Sequence, residues 1–210
     1  GTKKGANEPI EATGKVGQAQ DFDGSNDYIE IDDNASLDIQ NNLTVECCIN
    51  KETSSVSYPT MVSKRDGRNS GWIFYLAESS NKCAFQISDG SYNTIEFNNA
   101  VTDSIWTHLA AVFEGGDFGG YINGSSDITD TTTMPNSITT NNISLTIGSQ
   151  TFSGFFNGII DETRISSTAR SAAWIAATYD SLWDTLLTYG SEETESAEEA
   201  TNVLFIFSNF

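Results

Sequence analysis

Several oxygen-bearing side chains are crowded into one short turn near the start of the chain. Asp23, Asn26 and Asp27 lie within five positions of one another and surround Gly24. Calcium takes about six to eight oxygen ligands, and carboxylates, side-chain amides and backbone carbonyls all qualify. The turn therefore predicts a structural calcium site. The alternative is that these side chains only shape the turn, which Asp and Asn do well without a metal.

Aromatic and charged side chains are the candidates for sugar binding. Five rings could stack on sugars, namely those of Tyr58, Trp72, Tyr75, Tyr92 and Trp106. A charged loop is expected just before Trp72, and with it we predict a glycan site formed by Lys64, Arg65, Asp66 and Trp72. Arg68 lies in the same segment. The alternative is that the rings belong to the core, where large aromatic side chains bury the most area.

The chain has three cysteines, Cys47, Cys48 and Cys83. An odd number leaves at least one thiol without an intramolecular partner. Neighbouring residues of a strand point to opposite faces, so at most one of Cys47 and Cys48 faces the core. A disulfide between Cys47 and Cys83 is therefore a hypothesis.

Charge and hydropathy exclude two classes of partner. The formal net charge is −19, from 10 basic and 29 acidic residues. Nucleic-acid binding needs a basic surface that neutralises phosphates, and an anionic membrane needs the same. No run of about 18 apolar residues is present, so no membrane insertion is expected. The acidity suits divalent cations, a salty medium or solubility alone.

The chain begins GTKKGANEP, without the apolar segment of a signal peptide, which for a secreted protein means the mature form. Glycosylation would fit that setting. Four Asn-x-Ser/Thr triplets lie in or beside predicted turns, at Asn34, Asn42, Asn123 and Asn142.

The sequence predicts that strands position these residues. Short alternating segments occur at 19–22, 28–31, 43–49, 60–63, 72–77, 82–88, 94–98, 106–114, 120–122, 144–148 and 158–166. Asn-Gly, Asp-Gly and Gly-Gly turns separate most of them. This pattern predicts an all-β, antiparallel two-sheet sandwich. One short helix is expected at 171–179, with Trp174 packed on the edge of the sandwich.

We divide the chain into an extended lead-in (1–14), the sandwich (15–190), an acidic linker (191–200) and an apolar C-terminal strand (201–210). A closing strand is expected at 186–189. Both faces of the tail are apolar, through Val203, Leu204, Phe205, Ile206, Phe207 and Phe210. The tail either returns to its own sandwich or inserts into a neighbouring subunit as a donated strand. Repeated insertion would build filaments.

Four segments resemble the laminin-G-like, concanavalin A-like jelly-roll modules of bacterial and archaeal surface proteins. They are AQDFDGSNDYIEI (19–31), LTVECCIN (43–50), WTHLAAVFEGGDFGGYINGS (106–125) and FNGIIDETRISSTARS (156–171). The order and spacing match over roughly residues 14–190, which implies a jelly roll. Two places depart from the family: Cys47-Cys48 replaces a small residue and Trp, and Gly119-Gly120 replaces longer side chains. The loss of the Trp weakens a sugar-stacking surface at that strand.

The resemblance implies an extracellular or cell-surface protein, and it carries expectations about sites. It implies that Asp161 and Glu162 lie close to the Asp23 turn and complete the calcium site. Related glycoside hydrolases carry a Glu-x-Asp-x-(x)-Glu pattern, which begins at Glu30 but finds Asn34 and Ala35 in the place of the second Glu. Glycoside hydrolysis needs two carboxyl groups at a set separation.

The only histidine, His108, has no Ser or Cys near it in the sequence in an activating pattern, so we expect no enzymatic activity. A structural or adhesion protein, built into filaments through the tail, is the favoured function. A carbohydrate-binding module is the alternative, and a glycoside hydrolase is the least favoured.

Overall fold

The structure is a computed structural model that describes residues 1–4, 8–77, 80–150 and 153–186. Two antiparallel sheets of seven strands each face one another and form a jelly-roll sandwich. The first sheet has the order β1 (Thr2–Lys4), β4 (Tyr28–Ile31), β13 (Leu145–Ile147), β6 (Thr60–Asp66), β7 (Ser70–Leu76), β8 (Lys82–Ser88) and β9 (Tyr92–Ala100).

The second sheet contains the longest strands. Its order is β12 (Ser125–Asp130), β11 (Asp117–Ile122), β10 (Thr107–Glu114), β5 (Asn42–Lys51), β14 (Asn157–Ser166), β3 (Gln18–Asp23) and β2 (Ile10–Thr13). A short 3-10 helix (Ala35–Leu37) precedes β5, and helix α1 (Ala172–Leu182) follows β14. The predicted fold class is confirmed for the described residues.

As predicted, the alternation in β5 turns every second side chain into the core. Leu43, Val45, Cys47 and Ile49 are fully buried in the main core between the sheets. Aromatic side chains fill the same space from the opposite sheet. The ring of Phe85, for example, stacks on that of Phe118 with 5.5 Å between their centroids. Because each such side chain contributes about 1.5–3 kcal/mol when fully buried, this layer dominates the stability of the fold.

The unusual glycine pair in β11 makes room for an aromatic ring of the core. A Cβ placed on Gly120 would lie 2.6 Å from the Phe97 ring, closer than van der Waals contact allows. Phe97 is fully buried in the main core. Gly120 is thus required by packing rather than by approach of another backbone.

Helix α1 begins where predicted, but it is longer and packs differently. Ser171 caps it by accepting a hydrogen bond from the Trp174 N–H at 3.2 Å. The helix covers the outer face of the second sheet, where Ile175 is fully buried against Ala110. Trp174, which was expected to pack on the sandwich, is 49% exposed and lies under the Arg170 guanidinium. That prediction was wrong because the helix turns the neighbouring apolar residue inward.

Three strands were not predicted. The lead-in forms β1 and β2, which extend one edge of each sheet, and the polar segment after Gly124 forms β12. All three are edge strands with few buried side chains, so they lack the apolar alternation that identifies a strand from sequence. Among the described residues, no helix combines the length and apolar character that crossing a bilayer requires.

Apart from Leu186, the predicted closing strand lies outside the described residues, as do the acidic linker and the apolar tail. Assembly through Val203–Phe207 and Phe210 therefore stays a prediction.

Candidate functional site

The outer face of the first sheet carries a cavity of about 320 Å³. Ligand pockets span roughly 300–1,000 Å³, so this one is at the small end of the range. Strands β6, β7, β8 and β9 and two loops supply its wall, whose residues are Tyr58, Arg65, Ile73, Tyr75, Gln86, Tyr92 and Gln150.

The floor of the cavity follows from the alternation of β7. Trp72, Phe74 and Leu76 point into the main core, and Ile73 and Tyr75 point to the opposite face. Ile73 pairs with Gln86 on β8, which places an amide beside the apolar floor.

Tyrosine rings border the cavity. Tyr58 and Tyr92 are each 47% exposed, and the Tyr58 ring contacts the Tyr75 ring edge-on with 5.8 Å between centroids. Burial raises the pKa of Tyr75, so its hydroxyl stays protonated at neutral pH. The cavity therefore offers ring faces together with hydroxyl groups that donate and accept hydrogen bonds.

Arg65 is the charged group of the wall. Its guanidinium donates to the side-chain oxygens of Gln86 and Gln150 and lies 5.3 Å from the centre of the Tyr92 ring. Gln86 in turn donates to the Thr94 hydroxyl at 2.5 Å. Burial lowers the pKa of Arg65, but an arginine keeps its charge at any physiological pH.

The four residues predicted from the sequence for glycan binding separate in the structure. Arg65 lines the cavity, and Asp66 is exposed at the end of β6. Trp72 and Lys64 are each only 2% exposed. The segment is a strand rather than a loop, so Lys64 and Arg65 point to opposite faces. Including Lys64 and Trp72 in the site was wrong.

Lys64 has a structural role at the rim of the core. Its ammonium donates to the Asp33 carboxylate at 2.6 Å and to the carbonyl oxygens of Asn141 and Ile143 at 3.2 and 2.9 Å. These three acceptors satisfy all three N–H groups of the buried ammonium.

The Asp23 turn is held by its own hydrogen bonds. The Asp23 carboxylate accepts from the N–H groups of Ser25 and Asn26 at 2.8 and 3.2 Å, and Asp27 accepts from the Asp23 N–H at 3.2 Å. Burial, together with the carboxylates of Asp23 and Asp21, raises the pKa of Asp27. The contacts fit the alternative in which these side chains shape the turn.

Asp161 and Glu162 do not complete a calcium site at this turn. Asn157 pairs with Asp23 across β14 and β3, so Asp161 is four positions further along, roughly 13 Å away at about 3.3 Å per residue. Asp161 instead accepts from the Val16 N–H at 3.0 Å and from the Glu162 N–H at 2.7 Å.

The five predicted ligands are thus divided between the two ends of β3. Among the described residues, no group of three or more His, Cys, Asp or Glu side chains could hold a metal ion. The predicted five-residue site is not formed, and calcium binding by the chain stays a prediction.

A second polar cluster lies beneath α1 and was not foreseen. His108 and Cys48 are paired across β10 and β5, and His108 Nε2 lies 3.3 Å from Glu46 Oε2. Strand pairing thus places a cysteine beside His108, which the sequence did not indicate because the two residues are far apart in the chain. Burial, reinforced by the Asp161 carboxylate, raises the pKa of Cys48 to about 12. This thiol is not an activated nucleophile.

All three cysteines are free, buried thiols, and the predicted Cys47–Cys83 disulfide is not present. Cys47 and Cys83 pack within the main core as small apolar side chains.

The four candidate glycosylation positions, Asn34, Asn42, Asn123 and Asn142, are all exposed. Asn123 uses its side-chain oxygen to accept from the His108 N–H at 3.0 Å. Glu30, which begins the hydrolase-like pattern, forms an ion pair with Lys4 at 3.3 Å.

Comparison with known proteins identifies the family. Residues 23–176 match the model of the concanavalin A-like lectin/glucanases superfamily. The chain belongs to this superfamily. No curated protein sequence matches it.

Solved structures of this superfamily's fold are similar to the chain. Domain 4 of AbnA, an extracellular GH43 arabinanase from Geobacillus stearothermophilus in complex with arabinotriose, has a TM-score of 0.66 and 22% identity, covering 80% of this chain and 79% of that chain. The binding domain of Paraclostridial Mosquitocidal Protein 1 has a TM-score of 0.70 and 15% identity, covering 87% of this chain and 48% of that chain.

A botulinum neurotoxin type C structure, described with cell entry that depends on two ganglioside molecules, has a TM-score of 0.67 and 15% identity, covering 86% of this chain and 46% of that chain. The chain thus spans about half the length of the two toxin chains. At these identities the likeness shows the shared fold.

Proposed function

We propose that this chain is an extracellular, non-catalytic carbohydrate-binding domain whose binding site is the tyrosine-lined cavity on the outer face of the first sheet. The observation that carries the proposal is the combination of Tyr58, Tyr75 and Tyr92 with Arg65, Gln86 and Gln150 around one cavity. Sugar rings have apolar faces and a polar rim of hydroxyl groups. Aromatic rings match the faces, and amide and guanidinium groups match the rim.

The chemistry of the cavity favours binding over catalysis. No carboxylate is among the described residues that line it. Hydrolysis of a glycosidic bond uses two carboxyl groups roughly 5–9.5 Å apart, one of them as the acid. The cysteine beside His108 is protonated and fully buried, so it offers no alternative nucleophile.

The similar structures support the proposal at the level of the fold. One was solved in complex with arabinotriose and another is described with ganglioside binding. One fold hosts many functions, so the argument rests on the cavity itself.

A glycan array tests the proposal. The purified chain is applied to the array alongside a Tyr58→Ala, Tyr92→Ala double variant, which removes both exposed rings of the cavity. We expect selective binding that the double variant loses, with an unchanged circular dichroism spectrum. Equal binding by both proteins would place the site elsewhere, and no binding by either would contradict the function.

A further inference from the structure

The charge balance of the cavity differs from that of the chain. The protein has 29 acidic and 10 basic residues, yet Arg65 lines the cavity and no acidic residue is among its described lining residues. The exposed Arg68 lies beside it, with its guanidinium 4.7 Å from the Tyr92 ring centre. Two of the few basic side chains thus meet at one tyrosine.

Among the described residues, Arg65 has no carboxylate partner. Within the described part of the chain, it takes part in no ion pair, and the neighbours that act on its pKa are the rings of Tyr92 and Tyr75. A partly buried charge is costly unless it is paired, so charged side chains in such places normally have a counter-charge. Here the counter-charge is missing from the described residues.

The guanidinium is also held in place. Gln86 and Gln150 each take one N–H, and Gln86 is itself anchored by Thr94. An arginine has five N–H groups, so three are not engaged by these two amides. A positioned guanidinium with spare donors matches the planar oxygen pair of a carboxylate.

We infer that the cavity binds a sugar that carries a carboxylate, a uronic-acid-type residue, with Arg65 as its anion-recognising group. This inference rests on the proposed function and specifies its ligand. Exposed acidic residues more than about 8 Å from the cavity do not prevent it, because in 0.15 M salt their charges are screened.

The test compares one polymer in two charge states. Affinity electrophoresis or calorimetry in 0.15 M NaCl is run with polygalacturonic acid and with its methyl ester, which has the same sugar backbone without the charge. We expect the acid to bind about tenfold more tightly than the ester. Arg65→Gln should abolish this preference. Arg164→Gln makes the same charge change on the opposite sheet, where Arg164 is paired with Glu162, and should leave the preference intact.

The other outcomes are distinct. Equal binding of acid and ester overturns the inference and leaves the proposed function standing. Binding of neither, together with no binding on the glycan array, overturns both. Tighter binding of dextran sulfate than of polygalacturonic acid overturns the choice of carboxylate over sulfate. If Arg65→Gln does not fold, Arg68→Gln serves instead, since it is exposed and should reduce the preference about threefold.

Discussion

The guanidinium of Arg65 lies over the ring of Tyr92, 5.3 Å from its centre, on the face of the sheet that points away from the core. The ring is nevertheless 47% exposed, so part of it stays accessible to a ligand. The contact orients an aromatic surface and a cation together at the mouth of one cavity.

Tyr92→Ala should weaken glycan binding by about five- to tenfold, since truncated aromatic side chains in binding sites commonly cost more than 1 kcal/mol. The free energy of unfolding should change by less than about 1 kcal/mol, because the ring is half exposed. Trp174→Ala is the matched control: its ring is 49% exposed and also lies under an arginine, but on helix α1, over the other sheet. Titration calorimetry measures the glycan affinity of each variant, and urea denaturation measures its free energy of unfolding. Equal loss of binding in the two variants would contradict the assigned site.

Lys64→Met should lower the free energy of unfolding by about 3 kcal/mol, because it removes a buried ammonium from Asp33 and leaves two carbonyl oxygens without their donor. Lys4→Met breaks an ion pair whose lysine side chain is 40% exposed, and should cost less than about 1 kcal/mol. Urea denaturation compares the two. A small effect at Lys64 would show that its contacts are not those of a structural ammonium.

Alkaline pH should destabilise the protein through its thiols. Burial raises the pKa of Cys48 from its ordinary value of 9.0 to about 12, so above pH 9 the unfolded chain loses this proton and the folded chain keeps it. This thiol therefore leaves the free energy of unfolding unchanged below pH 9 and lowers it progressively as the pH rises from 9 towards 12. At pH 10.5 the loss from this thiol is about 2 kcal/mol.

Cys48→Ala should therefore lose less stability than the parent between pH 8 and pH 10.5, measured by urea denaturation under reducing conditions. Comparing how steeply the free energy of unfolding of each protein falls with pH removes the contributions of tyrosines and lysines, which both proteins share. Parallel curves would contradict the raised pKa.

Gly71→Ala should be much more damaging than Gly17→Ala. Both glycines have a positive φ, +87° and +65°, so both variants carry backbone strain of about 1 kcal/mol or more. At Gly71 the new Cβ would also lie 1.9 Å from the Lys64 carbonyl oxygen, whereas nothing lies within 4 Å at Gly17. We expect an extra loss of at least about 2 kcal/mol at Gly71, measured by thermal denaturation. Equal losses of stability in the two variants would indicate that backbone strain alone, and not the clash with the Lys64 carbonyl, sets the effect.

Deletion of residues 200–210 tests the predicted assembly strand. If the tail inserts into neighbouring subunits, the truncated chain should be monomeric by light scattering while the parent forms large polymers, and its circular dichroism spectrum should be unchanged. Val203→Asp with Phe205→Asp is the full-length counterpart, since charge on one face of a strand prevents its burial. Polymers that persist in both variants would exclude the tail as the connector.

Much of the fold could be predicted because its signals are local. In β5 the period of two decides which side chains face the core, and the inward set of Leu43, Val45, Cys47 and Ile49 was read correctly. The edge strands β1, β2 and β12 were missed because neither of their faces is well buried, so their sequences need not alternate.

The site was only partly predictable for a different reason. Tyr58, Tyr75 and Tyr92 were among the candidate rings, and Arg65 was among the candidate polar groups, but Lys64 and Trp72 were grouped with them. Adjacent residues of a strand face opposite sides, so assigning a segment to a loop instead of to a strand changes which side chains can share a site.

The sequence by itself determined the class of fold, the inward face of its central strand and the residue types from which a sugar site could be built. Only the tertiary structure decided that Arg65 meets Gln86 and Gln150, and that Cys48 pairs with His108, whose ring lies near Tyr179 of helix α1. The physical reason is range: alternation and turn chemistry act between neighbours in the chain, whereas a cavity is made by strand pairing and register, which join residues tens of positions apart.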